Sequence, residues 1–215
     1  MQEKHLLGLE HYPAEDIVSI IDTAFSFREV LNRRIKKVPS LQGKTIVNLF
    51  FENSTRTRIS FELAQKRLSA DTVNFSASSS SLKKGESFKD TVQNIEAMKI
   101  DAVVMRHPDP GASLHLTKYI DAVVINAGDG THEHPTQAIL DMTSLQERFG
   151  KVKDLRIGII GDIMYSRVAR SNIYGLKKLG AEVILCGPTT LIPPHIDSLG
   201  VRITHDLDEV LDWAD

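Results

Sequence analysis

Apolar positions recur along this chain with two different periods. Pro13 opens a stretch in which Ile17, Ile20, Ile21, Ala24, Val30 and Leu31 return at roughly helical spacing, and proline suits a first helical turn. Gly43 and Lys44 then lead into Thr45-Ile46-Val47-Asn48-Leu49-Phe50-Phe51, a mainly apolar run of strand length. Beyond it the pattern predicts a helix over 55–68, a strand over 71–75, a serine-rich loop and a helix over 87–98. A strand over 101–105, a helix near 112–119, a strand over 121–126 and a long helix over 135–149 follow, the last closed by Gly150. Ala102-Val103-Val104-Met105 and Ala122-Val123-Val124-Ile125 show no polar face, as expected of strands covered on both sides. Strands alternating with helices in this way predict an α/β fold, a doubly wound parallel sheet with helices on both faces.

A second series begins after Gly150, with a strand over 155–160, a helix over 166–179, and strands over 181–186 and 201–204. A further helix starts at Asp208. The pattern therefore predicts two doubly wound parallel-sheet domains, over 1–150 and 151–215. The second holds only 65 residues (215 − 150), a length at which a domain buries only about 60% of its unfolded surface. A truncated second domain is the expectation.

Composition narrows the choice of partner. The 215 residues are 41% hydrophobic and 25% charged, which fits a globular chain and excludes disorder. A formal net charge of −2 with dispersed basic residues argues against nucleic acid. No stretch approaches the roughly 20 apolar residues of a membrane span, and Met1-Gln2-Glu3-Lys4-His5 lacks a signal-peptide core, so the chain reads as cytoplasmic. Cys186, the single cysteine, lies in an apolar strand and reads as a buried free thiol. The partner expected is a small molecule.

In open α/β sheets ligands bind beyond the carboxyl ends of the strands, so the polar residues that follow each strand carry the candidate chemistry. Ser54-Thr55-Arg56-Thr57-Arg58 sits where the first strand gives way to a helix. Unsatisfied N–H groups and the positive end of the helix dipole meet hydroxyls and guanidiniums there, which makes an anion site for a phosphate. The alternative is a Ser/Thr cap with two solvated arginines, but cations in a first turn oppose the dipole and call for something negative. Arg106-His107-Pro108, His134-Pro135-Thr136-Gln137, and Asp162 with Arg167 follow later strands and should open on the same edge. Gathering Arg56, Arg106 and Arg167 leaves positive charge that needs an anionic partner.

His134 reads either as a structural imidazole at a helix cap or as a donor to a carbonyl oxygen, with Gln137 offering an amide acceptor to an NH₂ group. His132 and His134 as a metal pair rank lower, because no third ligand motif accompanies them. The loop Ser76–Ser87 carries Lys83 and Lys84 and ends with Ser87 three positions before Asp90, similar to a capping box. It is either a lysine-bearing lid or a solvated charge pair. Gly158-Ile159-Ile160-Gly161-Asp162 lacks Gly-x-Gly-x-x-Gly spacing and reads as a structural turn.

Phe51-Glu52-Asn53-Ser54-Thr55-Arg56-Thr57-Arg58, Lys83-Lys84-Gly85-Glu86-Ser87, Arg106-His107-Pro108 and His134-Pro135-Thr136-Gln137-Ala138-Ile139-Leu140-Asp141 together resemble the carbamoyltransferase family, from the first helix to the last residue. Asn53 and Thr136 favour the aspartate branch, since the ornithine branch typically has Lys near position 53 and His-Pro-Cys-Gln at the later motif. The resemblance implies transfer of a carbamoyl group from carbamoyl phosphate to L-aspartate in pyrimidine synthesis, with no cofactor and no metal; ornithine as acceptor, or a non-catalytic phosphate-metabolite binding fragment, is the alternative. By motif, Ser54, Thr55, Arg56 and Thr57 would hold the phosphate, with Arg56 also stabilising the leaving group. Arg106, His134 and Thr57 would polarise the carbonyl oxygen, and Gln137 would take the carbamoyl NH₂. Lys84 and Arg167 would bind aspartate, and Ser81 and Lys84 would reach into the site of a neighbouring subunit in a homotrimer. Regulatory chains or other pyrimidine-pathway enzymes are further partners in the family. Its second domain also continues past the equivalent of Asp215 into an Arg-x-Gln segment that grips aspartate, so this fragment is expected to be incomplete for turnover on its own.

Overall fold

A computed structural model of the chain describes residues 3–76 and 88–215. Its elements run α1 (Ala14–Asn32), β1 (Thr45–Phe50), α2 (Thr55–Arg67), β2 (Asp71–Ser76), α3 (Phe88–Ala97), β3 (Ala102–His107) and α4 (Ala112–Leu116). There follow β4 (Val123–Asp129), α5 (Pro135–Phe149), β5 (Arg156–Ile160), α6 (Arg167–Lys178), β6 (Glu182–Cys186), β7 (Arg202–Thr204) and α7 (Leu207–Trp213). Two 3-10 turns, Thr189–Leu191 and Ile196–Leu199, lie between β6 and β7. Pieces this short leave no periodic trace in a sequence.

The described residues divide into two compact units, Glu3–Leu7 with Thr23–Gly130, and Gly8–Asp22 with Thr131–Asp215. The first is built on a parallel sheet of order β2-β1-β3-β4. Alternate residues of its strands are buried on opposite faces. Val47, Leu49, Val103, Met105 and Val124 pack with Val92 and Ile95 of α3 and Leu116 of α4. Ile46, Phe50 and Val104 pack on the other side with Phe61 of α2. Two-sided burial is why these strands lack a polar face, and each such side chain contributes about 1.5–3 kcal/mol.

Asn48 interrupts the apolar run of β1 for a reason. It is fully buried, and its amide exchanges two hydrogen bonds with that of Gln65 on α2, Nδ2 to Oε1 at 3.0 Å and Nε2 to Oδ1 at 2.8 Å. Asn48 Nδ2 also donates to Asn74 Oδ1 of β2. A satisfied amide pair fixes one register of α2 on the sheet, which an apolar contact would not.

The second unit carries a parallel sheet of order β5-β6-β7. Val183, Ile184, Leu185 and Cys186 of β6 are all buried, with Val210 of α7 packed on Ile184 and Cys186. In β5, by contrast, Arg156 and Ile160 are exposed. Among the described residues β5 stands at one edge of this sheet. A Cβ on Gly158 would come within 2.4 Å of Val210 Cγ1, so this glycine lets α7 approach β5 and serves packing, as the missing fingerprint spacing suggested. Although α5 lies within 1–150, it packs along α6 in this unit, where Gly175 leaves room for Met142. No helix of the described residues is long and apolar enough to cross a membrane.

Candidate active site

In the order β2-β1-β3-β4, the chain leaves β1 toward one edge and returns to β3 on the other side of it. The crevice beyond β1 and β3 is thus the switch point where α/β sheets take ligands. Ser54 caps α2 there in extended conformation and makes no side-chain capping bond. No acidic residue occupies the first turn of α2. The N–H groups of that first turn therefore open toward whatever lies in front of the helix. A cavity of about 240 Å³ adjoins them, lined by Phe50, Phe51, Glu52, Asn53, Ser54, Thr55 and Arg58. Arg58 lines it, whereas Arg56 is exposed and outside the lining.

Arg106, from the end of β3, ties the two loops together. Its Nη1 donates to Thr57 Oγ1 at 3.2 Å and to the Ala127 carbonyl at 3.3 Å, while Phe51 N donates to the Arg106 carbonyl at 2.9 Å. Ala127 sits where the β3–β4 register shifts, between the pairs Met105↔Asn126 and His107↔Asp129, and that irregularity turns its carbonyl toward the guanidinium. The sequence expectation of unpaired positive charge needs correction here. Glu52 Oε1 accepts from Arg106 Nε at 2.5 Å, with both side chains largely buried. Glu52 lies two residues past β1 and far from Arg106 in sequence, so only the pairing of β1 with β3 discloses the contact.

Next to this pair, the His107 ring stacks at 4.8 Å on Phe51, and its Nδ1 accepts from Asp109 N at 3.0 Å. Burial holds the His107 imidazole below its ordinary value, against the raising influence of Asp109, Glu52 and Asp129. Burial, with Lys4, lowers His5 likewise against Glu3, and its Nδ1 accepts from Val124 N at 3.0 Å. A protonated ring cannot accept either bond. Because both folded values lie below the unfolded one, the unfolded chain takes up protons first. The stability these rings confer is complete above about 6.5 and is lost as pH falls through the depressed folded values. The melting temperature should therefore drop between about pH 7.5 and about pH 5.5, less steeply in His107→Asn, whose amide oxygen keeps the acceptor; an unaltered slope in that variant would remove His107 from the account.

The remaining candidates lie in the other unit. His134 is the N-cap residue of α5, with Pro135 beginning the helix as its sequence suggests. It is buried, and the Thr136 hydroxyl lies 3.4 Å from its Nδ1. Its backbone N donates to Ser171 Oγ at 2.8 Å, and Ser171 donates in turn to Glu133 Oε2 at 2.8 Å. Glu133 is only 1% exposed and also accepts from Leu9 N at 2.7 Å and Glu10 N at 3.2 Å. A Cβ on Gly8 would stand 2.3 Å from Glu133 Oε1, so the close approach of that segment requires glycine. Glu133 and Ser171 position His134, and neither was singled out by the motifs except as a neighbour of His132. Gln137, one turn into α5, donates Nε2 to Asp141 Oδ1 at 2.9 Å. Arg167 opens α6 one turn before Ser171, after a Ser166 cap that accepts from Ala169 N at 3.1 Å.

Glu10, His132 and Glu133 bring ligand atoms within 4.8 Å of one another. Both oxygens of Glu133 already accept hydrogen bonds, so the cluster reads as structural. Ser81, Lys83, Lys84 and Ser87 lie outside the described residues.

Comparisons with known proteins place the chain among relatives of one family. Residues 4–147 match the model of a family described as "Aspartate/ornithine carbamoyltransferase, carbamoyl-P binding domain". The chain is 62% identical to the aspartate carbamoyltransferase catalytic subunit of Christiangramia forsetii over 211 residues, which is 98% of this chain and 68% of that protein. It is 60% identical to the subunit of the same name from Cytophaga hutchinsonii, over 99% of this chain and 69% of that one. Among solved structures, Trypanosoma cruzi aspartate transcarbamoylase in complex with carbamoyl phosphate and aspartate superposes with a TM-score of 0.90 at 33% identity, over 98% of this chain and 70% of that chain. The catalytic subunit of M. Jannaschii aspartate transcarbamoylase gives a TM-score of 0.88 at 34% identity, over 99% of this chain and 72% of that chain.

Proposed function

This chain belongs to the aspartate/ornithine carbamoyltransferase family, and from that premise we propose that it transfers the carbamoyl group of carbamoyl phosphate to the amine of L-aspartate, giving N-carbamoyl-L-aspartate and phosphate in de novo pyrimidine biosynthesis. The names of its relatives and the ligands of the similar T. cruzi structure support aspartate over ornithine as acceptor. The observation that carries the reading is the first turn of α2 at the switch point, free of acidic residues and joined through Thr57 to Arg106.

In the reaction, the neutral amine attacks the carbamoyl carbon, the bond from that carbon to the phosphate oxygen breaks, and the departing phosphate takes the proton that the amine gives up. Negative charge grows on the carbonyl oxygen and then on departing phosphate, so fixed donors and cations are the groups required. Ser54, Thr55, Arg56 and Thr57 hold the phosphate, Arg56 also stabilising it as it leaves. Arg106, Thr57 and His134 donate to the carbonyl oxygen, His134 through Nε2 because Thr136 faces Nδ1. Gln137 accepts from the carbamoyl NH₂, and Arg167 and Lys84 take the aspartate carboxylates. Residues 1–150 then form the carbamoyl-phosphate domain and 151–215 belong to the aspartate domain.

A cytoplasmic homotrimer, with Ser81 and Lys84 serving the neighbouring site, completes the reading. Exposed Ile59 and Leu63 on α2 and Val73 on the outer strand β2 support an interface between copies. Calorimetric titration of the folded chain tests the donor site: carbamoyl phosphate should bind more tightly than inorganic phosphate. Equal affinities would favour a module that merely captures phosphate-bearing metabolites.

A further inference from the structure

Resting on the reading that Gln137 meets the carbamoyl NH₂, we propose that Asp141 is a positioning residue that decides which end of the Gln137 amide faces the substrate. Gln137 and Asp141 lie one turn apart on α5, on one face, with Gln137 Nε2 donating to Asp141 Oδ1 at 2.9 Å. A carboxylate only accepts, so the NH₂ end is the only end of the amide that can turn toward Asp141. The reversed amide would set oxygen against oxygen. Polarity is thus dictated by the chemistry of the pair, and the carbonyl end Oε1 is turned away from Asp141.

Asp141 is itself held. Asn172 of α6 donates Nδ2 to Asp141 Oδ2 at 2.7 Å, so both carboxylate oxygens have a donor and the group is fixed against rotation. Gln137, Asp141 and Asn172 are all half-buried, where such bonds are less exposed to competition from water. An acceptor fixed in this way recognises an NH₂ group and gains nothing from a methyl group in the same place. The substrate feature it reads is therefore the amide nitrogen of carbamoyl phosphate, as against the methyl of acetyl phosphate.

The test is the ratio of affinities for these two acyl phosphates, measured by calorimetry on the full chain, with inorganic phosphate as reference and melting curves as the check on folding. The unaltered chain should prefer carbamoyl phosphate by about tenfold, the worth of one hydrogen bond. In Asp141→Asn the new amide can pair with either end of Gln137, and the preference should fall to about two- to threefold with phosphate affinity unchanged. Asp141→Glu, still an acceptor only, should recover part of the preference. Asn172→Ala cuts the tie between helices and leaves the Gln137 bond, so it should lower the melting temperature and keep most of the preference. Gln137→Ala should abolish the preference. If Gln137→Ala abolishes it while Asp141→Asn keeps it, the role of Asp141 is overturned and that of Gln137 stands. If the unaltered chain shows no preference, or Gln137→Ala retains it, the reading of Gln137 falls and this inference with it. Should Asp141→Asn fail to fold, Asp141→Glu decides: a folded Glu variant with no preference overturns the proposal.

Discussion

Replacing Arg56 with alanine in an enzyme that carries a complete aspartate domain should lower kcat/KM by about 10³-fold or more, on the order of 4 kcal/mol, because phosphate binding and leaving-group stabilisation fail together. The fold should not suffer. Arg56 is the second residue of α2, it is exposed, and no carboxylate pairs with it among the described residues. A cation at that end opposes the helix dipole, so its removal should leave stability unchanged or raise it by about 0.3–1 kcal/mol. Steady-state kinetics beside a melting curve would separate the two effects. Activity lost in proportion to stability would make Arg56 structural. A larger kinetic loss in Arg58→Ala would move the phosphate role to Arg58, which lines the cavity.

In the same complete enzyme, His134→Ala should cost about 10²–10³ in kcat, or roughly 3–4 kcal/mol, as expected for a donor to a developing oxyanion. KM should change far less, since the donor matters most as charge develops. The helix start should survive. The bond that anchors position 134 runs from its backbone N to Ser171, and the imidazole makes no capping bond, so alanine removes neither. Turnover close to that of the unaltered protein would refute the role. A large rise in KM at constant kcat would recast His134 as a ground-state binding residue.

Much of this was legible in the sequence because it is local. The runs at β1, β3 and β6 have no polar face since both their faces are covered, and the starts of α2 and α5 are marked by Ser54 and Pro135. Collecting the residues that follow strands singled out Ser54, Thr57, Arg106 and His134 as candidates. What escaped is non-local. Asn48 looks like a flaw in an apolar run until Gln65 is seen against it. Glu52 reads as a solvated acid until strand pairing sets it beside Arg106. Glu133 lies between two histidines, and its donors come from Leu9, Glu10 and Ser171, none of them near it in the chain.

For anyone transplanting chemistry between scaffolds, the Glu133 cluster means that His134-Pro135-Thr136-Gln137 is not a portable cassette. A graft of those four residues would arrive without Glu133 and Ser171, which hold the His134 backbone in place. The transferable piece also includes the Gly8-Leu9-Glu10 backbone and a serine on a second helix, so the smallest unit that can be moved is assembled from three separate segments of chain.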